Sequence, residues 1–301
     1  MKLTILGCYS ATPRTLGNTT SQVLEIGNHM FLIDCGEGTQ VQLRKHRVKF
    51  SRIKHIFISH LHGDHFFGLV GLISTFRLLT READLHIYGP KGIKEVITLQ
   101  LKLSDSWTNY RLYFHELTSN VSELVFENET IEVHTIPLEH RVYTNGYLFK
   151  EKEKDRKINI DAVEEANIHM AYYRKLKQGF DVENEDGVLI DNTTVTFASD
   201  TPKSYAFCSD TVYKEDIVPI IKDVSVLYHE ATFLEAHAHL APKTKHATAK
   251  EAASIAKLAN AGTLVLGHYS SRYPDLEAFR GEAKTIFPNV ELAEDGKIFE
   301  F

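Results

Sequence analysis

Cysteine is scarce in this chain: three in 301 residues, Cys8, Cys35 and Cys208, an odd number set in apolar surroundings. They read as reduced, small core residues, so a disulfide framework is excluded and any metal chemistry falls to histidine. No uninterrupted apolar run is long enough to cross a bilayer. No early segment joins a basic start, a long apolar run and a small-residue cleavage site. The expectation is therefore a cytoplasmic protein with no membrane contact. Positive charge is not in excess either, since 34 Lys and Arg face 40 Asp and Glu, a net charge of −6. A general polyanion binder is excluded, because such affinity grows with the number of phosphates neutralised; any nucleic-acid contact has to use a local basic patch. Internal repeats and low-complexity tracts are absent as well.

What remains is ordinary for a soluble chain, 43% hydrophobic and 25% charged, enough for one sizeable domain or two smaller ones. Short β-rich runs lie at Leu3 to Leu6, Gln22 to Ile26 and Met30 to Ile33, with a polar loop through Pro13 and Gly17 after the first. Helical patterns follow at about Gly38 to Lys45 and Gly68 to Thr80. Further strands are expected at Ile53 to Ser59, Asp84 to Tyr88, Leu124 to Phe126 and Ile131 to Ile136. Strands that mostly precede helices, in two β-rich halves, predict an α/β fold, an αββα sandwich. The charge run Lys150-Glu151-Lys152-Glu153-Lys154-Asp155-Arg156-Lys157 opens a segment to about Asn192 that breaks this rhythm and reads as an insertion. The sandwich is expected to resume at Thr194 to Ala198 and Ala206 to Ser209. A run at Val224 to Tyr228 follows, then a helix opened by the capping box Thr248-Ala249-Lys250-Glu251, then a strand ending at His268.

The sharpest local signal is Ser59-His60-Leu61-His62-Gly63-Asp64-His65, three imidazoles and a carboxylate within six residues, directly after an apolar strand. Imidazole nitrogen and carboxylate oxygen suit zinc and similar divalent ions. One tetrahedral ion could hardly take all four side chains from so tight a loop and keep a position open for chemistry. Splitting them, His60 and His62 on one ion, Asp64 and His65 on a second, removes the difficulty. Two ions need more ligands, and His140, Asp210 and His268 stand at or just beyond the ends of later strands. A shared Asp210 carboxylate could bridge the pair, as in two-metal hydrolases. A lone histidine such as His140 or His268 is by itself an ordinary core or surface residue; the loop makes it a candidate ligand.

The pattern His60-Leu61-His62-Gly63-Asp64-His65 is the signature of the metallo-β-lactamase superfamily, and its companions resemble the ribonuclease Z family of tRNA 3′-processing endonucleases. The resemblance spans nearly the whole chain. It includes Leu6-Gly7 through Thr12-Pro13, Asp34-Cys35-Gly36-Glu37-Gly38-Thr39-Gln40, Leu138-Glu139-His140, His229-Glu230-Ala231-Thr232-Phe233, His246-Ala247-Thr248-Ala249 and Gly267-His268-Tyr269-Ser270-Ser271-Arg272-Tyr273. Two Ser-Asp-Thr elements compete for the bridging position, Asp200 and Asp210. The family's helix-then-strand spacing before His229 favours Asp210 and leaves Asp200 as a turn residue.

The resemblance implies a single metallo-β-lactamase-fold domain over residues 1–301, two Zn2+ ions per subunit with other divalent ions such as Mn2+ also admissible, precursor tRNA as substrate and a homodimer. It implies Asp64 as ligand and proton acceptor, His246 as the acid for the departing 3′ oxygen with Glu230 orienting it, and Asp34 fixing a ligating imidazole. Separately from the resemblance, Arg272 lies four residues beyond His268 and can present a guanidinium fork to the substrate backbone near the scissile phosphate, the alternative being a surface salt bridge. The resemblance also assigns residues 150–192 to a protruding tRNA-binding arm in which Lys175 and Lys177, with neighbouring cations and Tyr172 and Tyr173, meet phosphates. The Gly-Pro-rich tip usual in the bacterial arm is replaced here by Asn167-Ile168-His169-Met170-Ala171. Two alternatives stay open. One is a small-molecule phosphodiesterase or other hydrolase on the same scaffold, which needs the metal centre and not the arm; the other is an RNA-binding protein with a degenerate site.

Overall fold

The run Phe31-Leu32-Ile33 shows how the centre of the molecule is organised. A strand with one wet face alternates apolar and polar residues, whereas this one is apolar throughout because both of its faces are covered. In the computed structural model, which describes residues 1–12, 15 and 17–301, Leu32 and Met30 pack with Leu43, Leu69, Leu72, Ile73 and Phe76 from flanking helices. Phe31, on the opposite face, meets Phe149 of the second sheet at 5.4 Å between ring centroids. Pro13 of the first loop lies outside the described residues.

Two compact units are present, one formed by residues 1–127, 132–149 and 203–301 and the other by 128–131 and 150–202. The first carries two seven-stranded sheets. One sheet runs in the order Ile298–Glu300, Lys2–Gly7, Ser21–Ile26, His29–Cys35, Ile53–Phe57, Leu85–Pro90, Leu112–Leu117. It is antiparallel at its start and parallel from His29–Cys35 onward. The other runs Val290–Leu292, Thr263–Gly267, Val226–Glu230, Ser204–Cys208, Asn145–Glu151, Ile131–Pro137, Leu124–Glu127. Aromatic rings fill the space between the sheets: Phe57 lies 5.1 Å from Tyr147 and 5.3 Å from Phe149. The helix Ile93–Leu103, not expected from the sequence, buries Ile97 and Leu101, four residues apart on its inner face. The capping box of Ala249–Leu258 forms as expected, with the Thr248 side chain accepting from the Glu251 N–H and the Glu251 carboxylate accepting from the Thr248 N–H.

The segment Thr194 to Ala198 corrects the sequence reading. It does not resume the sandwich. Residues Asn192–Val195 form a helical turn, because the Asp191 side chain accepts the Thr193 N–H at 2.7 Å and ties the chain into a cap. Only Thr196–Phe197 is left as strand, and it pairs with Lys157–Ile158 inside the second unit; the sandwich resumes at Ser204. Between Asp210 and Val226 there is a short 3-10 turn, Glu215–Ile217, where a helix was expected. The second unit has its own small core of Val163, Ile168, Leu176, Val182 and Val195. Its short helix Tyr173–Lys177 carries Lys175 and Lys177, both exposed, with the Lys175 ammonium 5.7 Å from the centre of the Tyr172 ring.

Parallel strands deliver side chains to their carboxyl ends, which is where open α/β sheets build sites. His60 follows Ile53–Phe57, Asp210 follows Ser204–Cys208, Glu230 ends Val226–Glu230 and His268 follows Thr263–Gly267.

Candidate metal and active site

The base of the site is a buried carboxylate, Asp34. Its Oδ1 accepts the Ser59 N–H at 2.7 Å, and its Oδ2 accepts the Ser59 hydroxyl at 2.9 Å and His65 Nδ1–H at 2.7 Å. Burial raises the Asp34 proton affinity, and the His65 imidazole and the Ser59 donors pull it back. To make these contacts Asp34 sits at φ 54°, a left-handed conformation that costs about 1–3 kcal/mol for a residue with a Cβ. His268, at φ 59°, is held the same way. Gly36 is required for the same crossing: a Cβ there would come within 2.4 Å of the Asp64 carbonyl oxygen.

With Nδ1–H given to Asp34, His65 presents its Nε2 lone pair to the site. That nitrogen is buried and has no hydrogen-bond partner. It lies 3.3 Å from Asp64 Oδ2 and 3.4 Å from Asp210 Oδ1, outside hydrogen-bond geometry. His268 Nε2 is 3.4 Å from Asp64 Oδ2 and 3.2 Å from Asp210 Oδ1, and its Nδ1 meets the Thr232 hydroxyl at 3.0 Å. On the other side, His60 Nε2 and His62 Nδ1 are 3.0 Å apart, and His140 Nε2 is 3.3 Å from His62 Nδ1. His140 Nδ1–H donates to the Lys245 carbonyl at 2.8 Å, which fixes its tautomer. Asp210 Oδ2 lies 3.5 Å from His60 and 3.7 Å from His140.

Two donor sets result, each with its ligand atoms within 4.8 Å of one another: His60, His62, His140 and Asp210, and beside it Asp64, His65 and His268. Asp210 offers one oxygen to each side. Burial lowers His60, His62 and His140, keeping these imidazoles neutral as ligation demands. Burial opposes the charge on Asp64, but His65 and His268 prevail and hold the carboxyl well below its usual range. Lone pairs converging on common points, with an orphaned buried imidazole nitrogen among them, fit divalent cations bound by nitrogen and oxygen. Asp200 is not among these donors; it is exposed and paired with Lys157 at 2.9 Å.

A second carboxylate organises the far wall. Glu230 is buried; its Oε1 accepts from His246 Nδ1–H at 2.8 Å and from the N–H groups of Thr211 and Ala247 at 3.1 Å each. Its Oε2 accepts from the Thr232 N–H at 3.0 Å and the Thr232 hydroxyl at 2.8 Å. Burial would lower the proton affinity of His246, yet the Glu230 carboxylate against it raises the imidazole to about 9. His246 lines the same cavity, about 430 Å³, as His62, Asp64, His140, Asp210 and His268. Arg272 stands nearby, its guanidinium 5.2 Å from the centre of the Phe233 ring and its Nε–H donating to the Ser270 hydroxyl at 3.0 Å. Ser59, Thr232 and the cavity-lining Arg141 were not singled out in the sequence. Thr232 sits inside the His229 to Phe233 element, but a hydroxyl there carries no pattern of its own.

A family model described as "Anti-Pycsar protein Apyc1" matches residues 1–287. Ribonuclease Z of Bacteroides fragilis is 46% identical over 294 residues, covering 98% of this chain and 97% of that protein. The crystal structure of human tRNase Z, short form, aligns with a TM-score of 0.73 at 28% identity, over 100% of this chain and 99% of that one. The metallo-beta-lactamase fold protein YhfI from Bacillus subtilis aligns with a TM-score of 0.68 at 19% identity, over 99% of this chain and 98% of its own, a likeness of fold alone. No described helix is long and apolar enough to cross a membrane. The chain therefore belongs to the family that the matched model describes and, by its full-length relatives, to the ribonuclease Z family, on a metallo-β-lactamase fold.

Proposed function

We propose that the chain is a zinc-dependent endoribonuclease that removes the 3′ trailer from precursor tRNA and leaves a 3′-hydroxyl on the tRNA. The observation that carries this reading is the juxtaposition, in one cavity, of two His/Asp donor sets and the Glu230–His246 pair. His60, His62, His140 and Asp210 would hold one Zn2+, and Asp64, His65, His268 and Asp210 a second; Mn2+ suits the same donors. When bound, such ions supply Lewis-acid chemistry, acidifying water and offsetting charge on a phosphoryl group. Asp64, kept ionised by His65 and His268, accepts the proton of the attacking water. His246, kept protonated by Glu230, gives its proton to the 3′ oxygen as the phosphorus–oxygen bond breaks, so that oxygen leaves as a hydroxyl and the trailer keeps the phosphate. Buried Glu230 orients the imidazole and balances its charge.

Residues 150–192 act in this reading as an arm that binds tRNA, with Lys175 and Lys177 on phosphates and Tyr172 beside them. Arg272, braced by Phe233 and Ser270, presents its free guanidinium nitrogens to the substrate backbone. Arg272→Ala should slow cleavage and leave metal content alone, and unchanged kinetics would return this residue to a structural role. A cytoplasmic homodimer belongs to the same reading, and a monomer-sized species in sedimentation at assay concentration would remove the dimer from it.

Incubation of the metal-analysed protein with a precursor tRNA, followed by mapping of both new ends, tests the activity. A tRNA ending in a 3′-hydroxyl and a trailer beginning with a phosphate are expected. Hydrolysis of small phosphodiesters with no cut in the precursor would favour the small-molecule hydrolase instead.

A further inference from the structure

Among the cations near the cavity, Lys245 is neutralised by an ion pair with Glu139, and Arg272 is braced on Phe233 and Ser270. Arg141 differs. It lines the cavity beside His62, Asp64 and His140, its side chain is exposed, and it makes no hydrogen bond or ion pair among the described residues. Its base is nevertheless fixed. His140 Nδ1–H is tied to the Lys245 carbonyl at 2.8 Å, and the Glu139 backbone is tied at both ends, its N–H donating to the Thr211 hydroxyl at 3.1 Å and its carbonyl accepting the Val212 N–H at 3.0 Å. The chain thus holds an unpaired guanidinium at the rim of a site whose donors suit cations.

Among the described residues no carboxylate is paired with this guanidinium, and cations held by the donor sets, with Asp64 and Asp210 committed to them, would repel it across a short distance. The charge is offset when the occupant of the cavity brings an anionic group beyond the one that reacts. The planar guanidinium fork matches two oxygens of a phosphate. We propose that Arg141 binds the phosphate adjacent to the scissile one, and so makes this cavity select a polynucleotide, with at least two consecutive phosphodiesters, over a compound with a single one. The inference rests on the reading of the chain as an RNA-cleaving enzyme and adds to it the residue that senses chain continuity.

The test uses the full-length metal-loaded protein and a short synthetic precursor in which one neighbour of the scissile phosphate, on either side in turn, is an uncharged methylphosphonate. Arg141→Ala should lower kcat/KM on the all-phosphate substrate on the order of tenfold, through KM, as for loss of one charge-assisted hydrogen bond. Arg141→Lys should recover part of that loss, and both variants should keep the wild-type metal content. For one of the two neighbours, the methylphosphonate should cost the wild type a similar factor and cost Arg141→Ala nothing more. Losses that multiply at both neighbours, an Arg141→Ala variant equal to wild type, or loss of metal in Arg141→Ala would each overturn the proposal. A wild-type protein that leaves the all-phosphate precursor uncut would instead remove the underlying activity, and this inference with it.

Discussion

Glu230 Oε1 lies 2.8 Å from His246 Nδ1, and the same oxygen accepts two backbone N–H groups, so the imidazole is held by a carboxylate that is itself immobile. With Nδ1–H committed to Glu230, Nε2 is the atom that would exchange a proton with substrate in the proposed reaction. His246 also stands with Asp210 and His268, their donor atoms within 4.8 Å of one another, so proton delivery and metal binding at this residue have to be tested apart.

His246→Ala should keep its metals and bind precursor tRNA almost normally, while the chemical step slows by roughly 10²–10⁴-fold, the range for loss of a general acid or base. A nitrophenyl phosphodiester, whose leaving group needs no proton, should suffer much less. Single-turnover rates on both substrates decide the matter. Equal slowing would make His246 a structural residue.

Asp34→Asn tests the imidazole orientation beneath the cluster. Asparagine tolerates the left-handed backbone at this position and can still accept from Ser59, but its amide nitrogen cannot accept from His65 Nδ1–H. Thermal stability should change little, and metal affinity should fall by about 10–100-fold, as for other partners of ligating histidines. Metal titration that matches wild type would show that His65 needs no such anchor.

A second group of histidines lies away from the site. His55 stacks on His86 at 5.0 Å, and His86 Nδ1 meets His115 Nε2 at 3.0 Å. Burial, with His86, His29, His115 and Lys54 adding repulsion, lowers His55 to about 3. The unfolded chain takes up this proton near pH 6.5, whereas the native protein resists it. Stability from His55 is therefore complete above about pH 6.5 and is lost progressively as pH falls toward 3. Chemical denaturation at pH 7.5 and pH 5 should show the drop, and His55→Phe should reduce it. An identical pH dependence in that variant would shift the cause to other groups.

The sequence made the strands readable where apolar runs were continuous, as at Phe31 to Ile33, and the helix after Thr248 readable because its cap is local chemistry. It failed at Thr194 to Ala198, where β-branched residues suggest a strand but the Asp191 side chain captures the backbone first. The cluster was legible because its four-residue loop is dense in donors. Partners such as Thr232 and Ser59 were not, since a single hydroxyl gains its role only from what the fold brings beside it: Glu230 and His268 for the first, Asp34 and His60 for the second.

The central claim is a pair of ions sharing Asp210. Its most direct test is the number of tightly bound divalent ions per chain, measured by elemental mass spectrometry after exhaustive dialysis, in wild type, Asp210→Ala and Asp200→Ala. Asp210 faces His60 and His140 with one oxygen and His65 and His268 with the other, whereas Asp200 is paired with Lys157 at the surface. The account predicts about two equivalents in wild type and in Asp200→Ala, and loss from both positions in Asp210→Ala. A wild-type protein that binds a single equivalent, or an Asp210→Ala variant that retains two, would contradict it.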